Sequence, residues 1–417
     1  MVRVIVSARP RDVSSLGSME NLKPLLAEAQ ALLPAAVSLR RDIHAHPELG
    51  LDLPRTQAAV LKALDGLGLE VTTGSSLSSV VAVLDSGQPG PTVLLRGDMD
   101  ALPMPEDTGL DFASTVPGAM HACGHDAHVA MLAGAATLLR SHEDDLTGRV
   151  VFMFQPGEEG LHGARYMIDE GVLDVAGAVD VAFAIHQSPN FPSGMMATRG
   201  GTIMASADEI YIDVVGRGGH ASMPHQALDP IPIACEIVLA IQSMVTRRID
   251  IFDPAVVTVA HINAGTTTNV IPERASIHGT VRAISSRTRE LVHNEVRQLA
   301  TGIASAHGAT ADVQITSGFP VTVNDASIAE WTRGVATRLI GAEHVMELPS
   351  PIMGAEDFSY VLERVPGAMV FLGTCPEGVE LSHVAPCHSN RMRLNESAMA
   401  TGIALYAAMA LARSSAA

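Results

Sequence analysis

The chain has 417 residues, of which 47% are hydrophobic and 17% are charged, and its formal net charge is -18. This length exceeds the ~250–300 residues at which a single core stops growing, so we expect more than one domain. The acidic balance argues against a protein that binds duplex nucleic acid, which needs a basic surface. The 4 cysteines are too few for a disulfide framework and favour a reducing, cytoplasmic location.

The two ends of the chain give no sign of a targeting or membrane segment. The only apolar run within residues 1–19 is far too short for a signal peptide, and we expect a poorly ordered leader there. No uninterrupted apolar stretch of about 18 residues occurs, so no membrane span and no membrane partner are predicted.

The first half of the chain alternates between helical and strand patterns. Apolar residues recur at intervals of three and four within 20–47, within Thr56–Leu67 and within Val129–Leu139, which predicts three helices. Short apolar runs predict strands at Leu69–Thr72, Ser79–Asp85, Pro91–Gly97, Arg149–Gln155 and Val181–Ile185. We interpret this alternation as an α/β domain with a mainly parallel sheet flanked by helices.

From about residue 199 the order of elements changes. The patterns predict strand, helix, two strands, helix and strand, in turn at Ala207–Val215, Asp229–Ile249, Val256–Ile262, Ala275–Ala283, Thr288–Ala306 and Thr310–Ser317. This is the ferredoxin-like order, so we interpret 199–312 as an α+β domain inserted into a discontinuous domain formed by 20–198 and 313–417. In the last segment we predict a connection at Leu339–Leu348 and a final helix at Ser397–Ala412.

Polar residues follow the ends of three predicted strands. Asp98 and Asp100 follow the strand predicted at Pro91–Gly97. Glu158 and Glu159 follow the strand at Arg149–Gln155, and His186 follows the strand at Val181–Ile185. Ligands in open α/β sheets bind at the carboxyl ends of the strands. Adjacent carboxylates in a glycine-rich turn suit metal-assisted hydrolysis, in which one is a metal ligand and the other a general base. Helix-capping aspartates and a solvated turn are the alternatives.

The stretch from Met120 to His128 carries a thiol, three imidazoles and a carboxylate. Cys123 and His125 can reach one ion if the chain turns between them, and Gly124 permits such a turn. A polar loop with a buried structural cysteine is the alternative. For His121 and His128 the structural interpretation is favoured.

These runs resemble the M20 family of metallopeptidase-type amidohydrolases, in the subgroup of hippurate hydrolases, N-acyl-L-amino-acid amidohydrolases and auxin-conjugate hydrolases. The resemblance covers about residues 20–411. The matching runs are RGDMDALPMPE at 96–106, MHACGHDAH at 120–128, QPGEEG at 155–160, GRGGHAS at 216–222, NVIPERASIHGTVR at 269–282 and GAEDFSY at 354–360.

The resemblance implies a zinc-peptidase-like catalytic domain with an inserted lid and dimerisation domain. It implies that five residues are metal ligands, namely Cys123, His125, Glu159, His186 and His388. Glu158 stands at the general acid/base, and Asp100 at the aspartate that orients the metal site. His220 stands where the inserted domain holds the reacting carbonyl. Asn269 and Arg282 match lid positions that we assign to the substrate carboxylate.

The sequence departs from the family pattern at three places. Gln187, Ser188 and Pro189 follow the fourth ligand, where an aromatic residue and proline are frequent. Ser-Asn-Arg at 389–391 follows the last ligand, where Ser-Pro is usual, and His162 stands in a segment that is usually glycines. These differences affect the leaving-group pocket and the substrate range, but not the metal set.

We therefore predict metal-dependent hydrolysis of N-acyl amino acids or similar small amide conjugates, by a homodimer that forms through the inserted domain. Two divalent ions per subunit, Zn²⁺ or Mn²⁺ with Co²⁺ also acceptable, are expected to activate the water, and a bridging Cys123 thiolate would let five side chains serve both. Two alternatives stay open: a thiol hydrolase that uses Cys123 with His125, and a non-catalytic, zinc-stabilised binding protein.

Overall fold

The computed structural model of the protein describes residues 22–414, so the predicted leader lies outside the described residues. The helices are α1 Pro24–His44, α2 Pro54–Leu64, α3 His125–Ser141, α4 Gly163–Asp169, α5 Pro230–Arg248, α6 Ser286–Ala306, α7 Ala326–Ile340, α8 Ser359–Leu362 and α9 Ala398–Ser414. The strands are β1 Glu70–Thr73, β2 Val80–Asp85, β3 Thr92–Asp98, β4 Arg149–Gln155, β5 Val181–Ser188, β6 Met196–Thr198, β7 Gly201–Met204, β8 Asp208–Val215, β9 Gly219–His220, β10 Ala255–Ala264, β11 Val270–Ile271, β12 Arg274–Ala283, β13 Thr310–Ser317, β14 Thr322–Asn324, β15 Val345–Glu347 and β16 Gly367–Gly373.

The chain divides into two compact units. The second unit consists of Gly201–Asn324 and Leu348–Arg364, and the first unit contains the rest of residues 22–414. The second unit therefore includes 313–324 and 348–364, which the sequence patterns assign to the discontinuous domain. The reason lies in pairing between distant segments: Met204 forms a bridge with Ile352, and the Ala205 N–H donates to the Ile352 carbonyl.

The first unit is built on an eight-stranded sheet in the order β1-β2-β4-β3-β5-β16-β6-β15. The four central strands β4, β3, β5 and β16 run parallel to one another, whereas β1, β2 and β6 pair in antiparallel fashion. Helices α1, α3 and α9 pack together and share one apolar core with the sheet. The predicted α/β class with a mainly parallel sheet is confirmed.

Helix α7 was not predicted, and the prediction of a plain connection at Leu339–Leu348 was wrong, because this segment contains the end of α7 and all of β15. The helix begins after Asp325, whose carboxylate accepts a hydrogen bond of 3.0 Å from the Ile328 N–H. Trp331 and Val335 are buried on its inner face.

The second unit contains an antiparallel sheet in the order β10-β12-β8-β13, with α5 and α6 packed on it. This order confirms the ferredoxin-like prediction. Among residues 22–414, α5 is the one helix long and apolar enough to cross a membrane, by length and composition alone. Its apolar residues Ile233, Ile237 and Ile241 are buried in the core of this unit, which accounts for its hydropathy.

Asp208 is the centre of a buried ion-pair network in the second unit. Its carboxylate accepts hydrogen bonds from Arg289 and from His293, at 2.9 and 2.8 Å. Burial alone would raise the pKa of Asp208, but hydrogen bonds from His293 and Arg289 outweigh it and lower the pKa to about 2. The folded state therefore binds a proton less readily than the unfolded state, so this network stabilises the protein above about pH 4.

We expect Asp208→Asn to lower the free energy of unfolding at pH 7 by about 2 kcal/mol, the equivalent of the pKa shift. The difference from the unchanged protein should shrink as the pH falls from about 4 toward 2, because the native carboxylate then becomes protonated. Urea unfolding at a series of pH values measures this. Asp213→Asn is the matched control: its ion pair with Arg274 is exposed and should contribute less than about 1 kcal/mol. Equal losses in the two variants would contradict the prediction.

Candidate metal centre

Three parallel strands of the first unit direct polar residues to the same edge of the sheet. Asp98 ends β3, Glu158 and Glu159 follow β4, and His186 lies in the last part of β5. The Cys123 turn directly precedes α3 and lies at this edge, since its sulfur is 3.4 Å from His186 Nε2. The turn depends on Gly124, whose φ of +86° is one that L side chains rarely adopt.

All five predicted metal ligands lie together in the first unit. The ligand atoms of Cys123, His125 and His186 lie within 4.8 Å of one another, and so do those of Cys123, Glu159 and His388. Cys123 Sγ is 3.4 Å from His186 Nε2, and His388 Nε2 is 3.3 Å from Glu159 Oε1. Two groups of candidate ligands therefore share a single sulfur atom.

Backbone carbonyl groups orient two of the imidazole rings. His125 Nδ1 is 2.9 Å from the Asp100 carbonyl oxygen, and His186 Nδ1 is 2.5 Å from that of Gln187. Because a carbonyl oxygen only accepts, both Nδ1 atoms carry a hydrogen, so in the neutral form of each ring the lone pair is on Nε2. This is the arrangement in which histidine binds a metal ion.

The donor set fits a divalent metal ion. His125 Nε2 is fully buried and has no hydrogen-bond partner among the residues that the structure describes. Its nearest carboxylate oxygens are Asp98 Oδ2 at 3.5 Å and Glu158 Oε2 and Glu159 Oε1 at 4.0 Å. A buried nitrogen without a partner costs about 1–3 kcal/mol, which a bound cation would remove. One sulfur, three imidazole nitrogens and carboxylate oxygens suit Zn²⁺ and also Mn²⁺ or Co²⁺.

The electrostatic field at the centre also favours a cation. Burial opposes a charge on His125, but the carboxylates of Asp98, Asp100 and Glu159 outweigh burial and raise the pKa of His125 to about 10. The surrounding carboxylates therefore stabilise a positive charge beside His125, and a bound metal ion would provide that charge.

Asp100 holds the carboxylate turn in place. It is buried, and its two oxygens accept the backbone N–H groups of Glu158 and Glu159, each at 2.9 Å. These two bonds fix the backbone from which both carboxylates project. Glu158 itself is buried, with 6% of its surface exposed.

His128 has both ring nitrogens engaged away from a metal. Its Nδ1 is 2.5 Å from Asp98, which also binds Arg96, and its Nε2 accepts the Gln187 N–H at 2.8 Å. Burial lowers the pKa of His128 to about 4, so the ring is neutral. These contacts support the structural interpretation of this residue. Burial likewise lowers the pKa of His121, to about 3.

His220, Asn269 and Arg282 belong to the second unit. His220 and Asn269 are neighbours on the β9–β11 ribbon, where Ala221 N–H donates to the Asn269 carbonyl. His220 Nδ1 accepts the Ser222 N–H at 3.1 Å, so the hydrogen of the neutral ring lies on Nε2 and can be donated. Arg282 lies on β12, opposite Val256 of β10.

The sequence patterns did not reveal the contacts that Gln187 makes beside the centre. They marked this residue only as a departure from the family pattern. Its side chain hydrogen-bonds the Cys123 carbonyl oxygen and Thr374. Its position directly after a predicted ligand was the one signal available.

Comparison with known proteins identifies the family. The profile described as "Peptidase family M20/M25/M40" matches residues 94–412. The chain belongs to this family. The M20 chain is 39% identical over 397 residues to thermostable carboxypeptidase 1 of Saccharolobus solfataricus, covering 94% of this chain and 99% of that protein. It is 37% identical over 376 residues to N-acetylcysteine deacetylase of Bacillus subtilis, covering 90% and 96%.

A solved M20 structure has the same fold. The Bacillus subtilis YXEP protein, described as a dinuclear metal-binding peptidase of the M20 family, aligns with a TM-score of 0.79 and 33% identity, covering 91% of this chain and 98% of that one. The protein is therefore a metal-dependent amidohydrolase, which disfavours both alternatives drawn from the sequence. The imidazole at hydrogen-bonding distance from the Cys123 sulfur is also His186, and not the His125 of the thiol-hydrolase hypothesis.

Proposed function

We propose that this M20 enzyme hydrolyses the amide bond of N-acyl amino acids or similar small amide conjugates with two divalent metal ions. The observation that carries the proposal is the sulfur of Cys123, which belongs to two separate groups of candidate ligands. With a shared Cys123 thiolate, five side chains would be enough to hold two ions. A thiolate can be shared because a metal-bound thiol is deprotonated.

The proposal assigns the ligands to two sets that share Cys123. His125 and His186 form one set with the sulfur, and Glu159 and His388 form the other. The hydrogen bonds from His125 and His186 to backbone carbonyls support this assignment, since each directs Nε2 to the candidate site. Zn²⁺ and Mn²⁺ are the expected ions, and Co²⁺ should substitute.

Glu158 is the general acid/base of the proposed reaction. When bound, a divalent ion lowers the pKa of water and polarises the substrate carbonyl. The Glu158 carboxylate accepts a proton from the attacking water as the oxygen bonds to the carbonyl carbon. It returns that proton to the nitrogen as the carbon–nitrogen bond breaks, which gives a carboxylic acid and an amine. Asp100 supports this role because it fixes the backbone of Glu158.

The substrate class rests on the relatives. One is named as a carboxypeptidase and another as a deacetylase of N-acetylcysteine, so both act on amides of amino acids. For His220 we propose a hydrogen bond from Nε2 to the reacting carbonyl oxygen, and for Asn269 and Arg282 a contact with the substrate carboxylate. A cytoplasmic location and a homodimer formed through the second unit complete the proposal.

A hydrolysis screen tests the proposed function. Purified protein is treated with EDTA, divided, and reconstituted with Zn²⁺, Mn²⁺ or Co²⁺ before it is offered N-acetyl and N-benzoyl amino acids. We expect release of the free amino acid only after metal is restored, because the nucleophilic water depends on the ions. Turnover that survives EDTA would favour the thiol hydrolase, and no turnover with any metal would favour the binding protein.

A further inference from the structure

Gln187 is a fully buried polar residue at the end of β5, directly after the proposed ligand His186. Its amide nitrogen donates to the Cys123 carbonyl oxygen at 2.6 Å and contacts Cys387 Sγ at 3.3 Å. Its amide oxygen accepts the Thr374 hydroxyl at 2.6 Å. The orientation of the amide follows from this chemistry, since the Cys123 carbonyl can only accept.

The same residue also uses its backbone. Its N–H donates to His128 Nε2 at 2.8 Å, and its carbonyl oxygen accepts from His186 Nδ1 at 2.5 Å. One residue thus contacts the backbone of the thiolate ligand, the ring of an imidazole ligand, and the histidine that binds Asp98. The three side-chain contacts, with the Cys123 carbonyl, Cys387 Sγ and Thr374, can be removed by substitution without touching the backbone bonds.

The side chain packs directly against the turn that carries the thiolate. A Cβ atom at Gly124 would lie 2.5 Å from Gln187 Nε2, so glycine leaves the room that the amide occupies. The turn is therefore held in two ways, by the left-handed backbone of Gly124 and by the hydrogen bond to the carbonyl of the residue before it. The amide also ties the turn to β16, since Thr374 follows its last residue.

We propose that Gln187 is a positioning residue, whose amide fixes the Cys123 turn so that the sulfur is held between the two groups of candidate ligands. This inference rests on the proposed role of Cys123 as a metal ligand. Without the amide, the Cys123 carbonyl loses its hydrogen-bond donor and the turn becomes more flexible. The metal ions would then have to order the Cys123 turn when they bind. Residues that hold metal ligands in this way typically contribute 10–100-fold to metal affinity or activity.

The test is the metal affinity of Gln187→Met, which keeps the length and shape of the side chain and removes the amide. Metal-free protein is titrated with Zn²⁺ in competition with a chromophoric chelator, and with Co²⁺ while the thiolate-to-cobalt absorption is recorded. We expect Zn²⁺ to bind about 10–100-fold more weakly than in the unchanged protein. We also expect the cobalt–thiolate absorption to weaken or shift, which a purely structural role would not produce.

Gln57→Met is the matched control. Gln57 lies in the same unit and donates its amide to a backbone carbonyl, that of Ser79, at 3.0 Å. This variant should bind Zn²⁺ and Co²⁺ as the unchanged protein does, and thermal unfolding of both variants shows any general loss of stability.

Two further variants keep the proposal testable if Gln187→Met does not fold. Gln187→Asn keeps an amide but is one methylene shorter, so it should no longer reach the Cys123 carbonyl and should also bind Zn²⁺ more weakly. Thr374→Val removes only the partner of the amide oxygen and should cause a smaller loss. Unchanged Zn²⁺ affinity and cobalt absorption in the folded variants would overturn the proposal. These titrations use no substrate, so they separate this inference from a failure of the proposed hydrolysis.

Discussion

The Glu158→Gln variant is expected to retain its metal ions and to lose a factor of about 10²–10⁴ in kcat, the usual contribution of a general acid/base. Glu158 is buried beside the candidate ligands, with Oε2 at 4.0 Å from His125 Nε2, and it is not assigned as a ligand. Glutamine has the same shape but cannot accept a proton from water. Elemental analysis measures the metal that is retained, and steady-state kinetics on N-acyl amino acids measure the loss in kcat.

Glu159→Gln is the matched comparison, since it makes the same chemical change at the adjacent residue of the same turn. Glu159 lies 3.3 Å from His388 and is assigned as a ligand, so this variant should lose metal. The two variants should therefore differ in metal content as well as in rate. Near-normal turnover in Glu158→Gln would remove Glu158 from the mechanism, whatever the metal content.

The Cys123→Ala variant is expected to lose at least one metal ion per chain, together with most of the hydrolytic activity. The sulfur is shared by both candidate ligand groups, so its removal leaves each group with two protein donors. Alanine avoids the oxygen ligand that serine would offer. Elemental analysis after dialysis against a weak chelator measures the loss, and the unchanged protein is treated in parallel.

Cys375→Ala is the control for the loss of a buried thiol. Cys375 is also buried, its sulfur contacts the Val379 carbonyl oxygen at 3.3 Å, and it is in none of the candidate ligand groups of the described chain. It should keep its full metal content. If Cys123→Ala retained two ions per chain, the shared-sulfur arrangement would be refuted.

Sequence patterns predicted the elements that carry a continuous apolar run or a regular alternation of apolar and polar residues. The strands predicted at Arg149–Gln155 and Thr310–Ser317 coincide with β4 and β13. The short strands β6 and β14, which have weak local signals, were missed. The helix α7 was missed as well. For α7 a signal was present, because Asp325 caps the helix and Trp331 and Val335 follow with helical spacing.

The boundary of the second unit could not be read from periodicity. The segment 348–364 joins that unit through contacts with β7 and its neighbours, such as the bridge between Met204 and Ile352. Pairing between residues almost 150 positions apart leaves no local pattern.

The candidate site was predictable to the extent that its residues lie at strand ends. Asp100, Glu158 and His186 were found because polar residues directly follow apolar runs, and His388 because of the family resemblance. The contacts that hold these residues were not predictable. The bond from Asp100 to the Glu158 backbone, and that from Gln187 to the Cys123 carbonyl, each join segments about 60 residues apart. Such bonds exist only once the sheet has assembled.

The position of β16 has a consequence for how the protein is made. It is the last strand along the chain, yet it lies between β5 and β6 in the sheet. A growing chain that has not reached Gly367 leaves the far edge of β5 unpaired, although β5 itself is complete. His388 is added later still. Maturation of the metal centre must therefore wait until His388 has been synthesised, and a product truncated before β16 would expose an open strand edge of the kind that other chains can join.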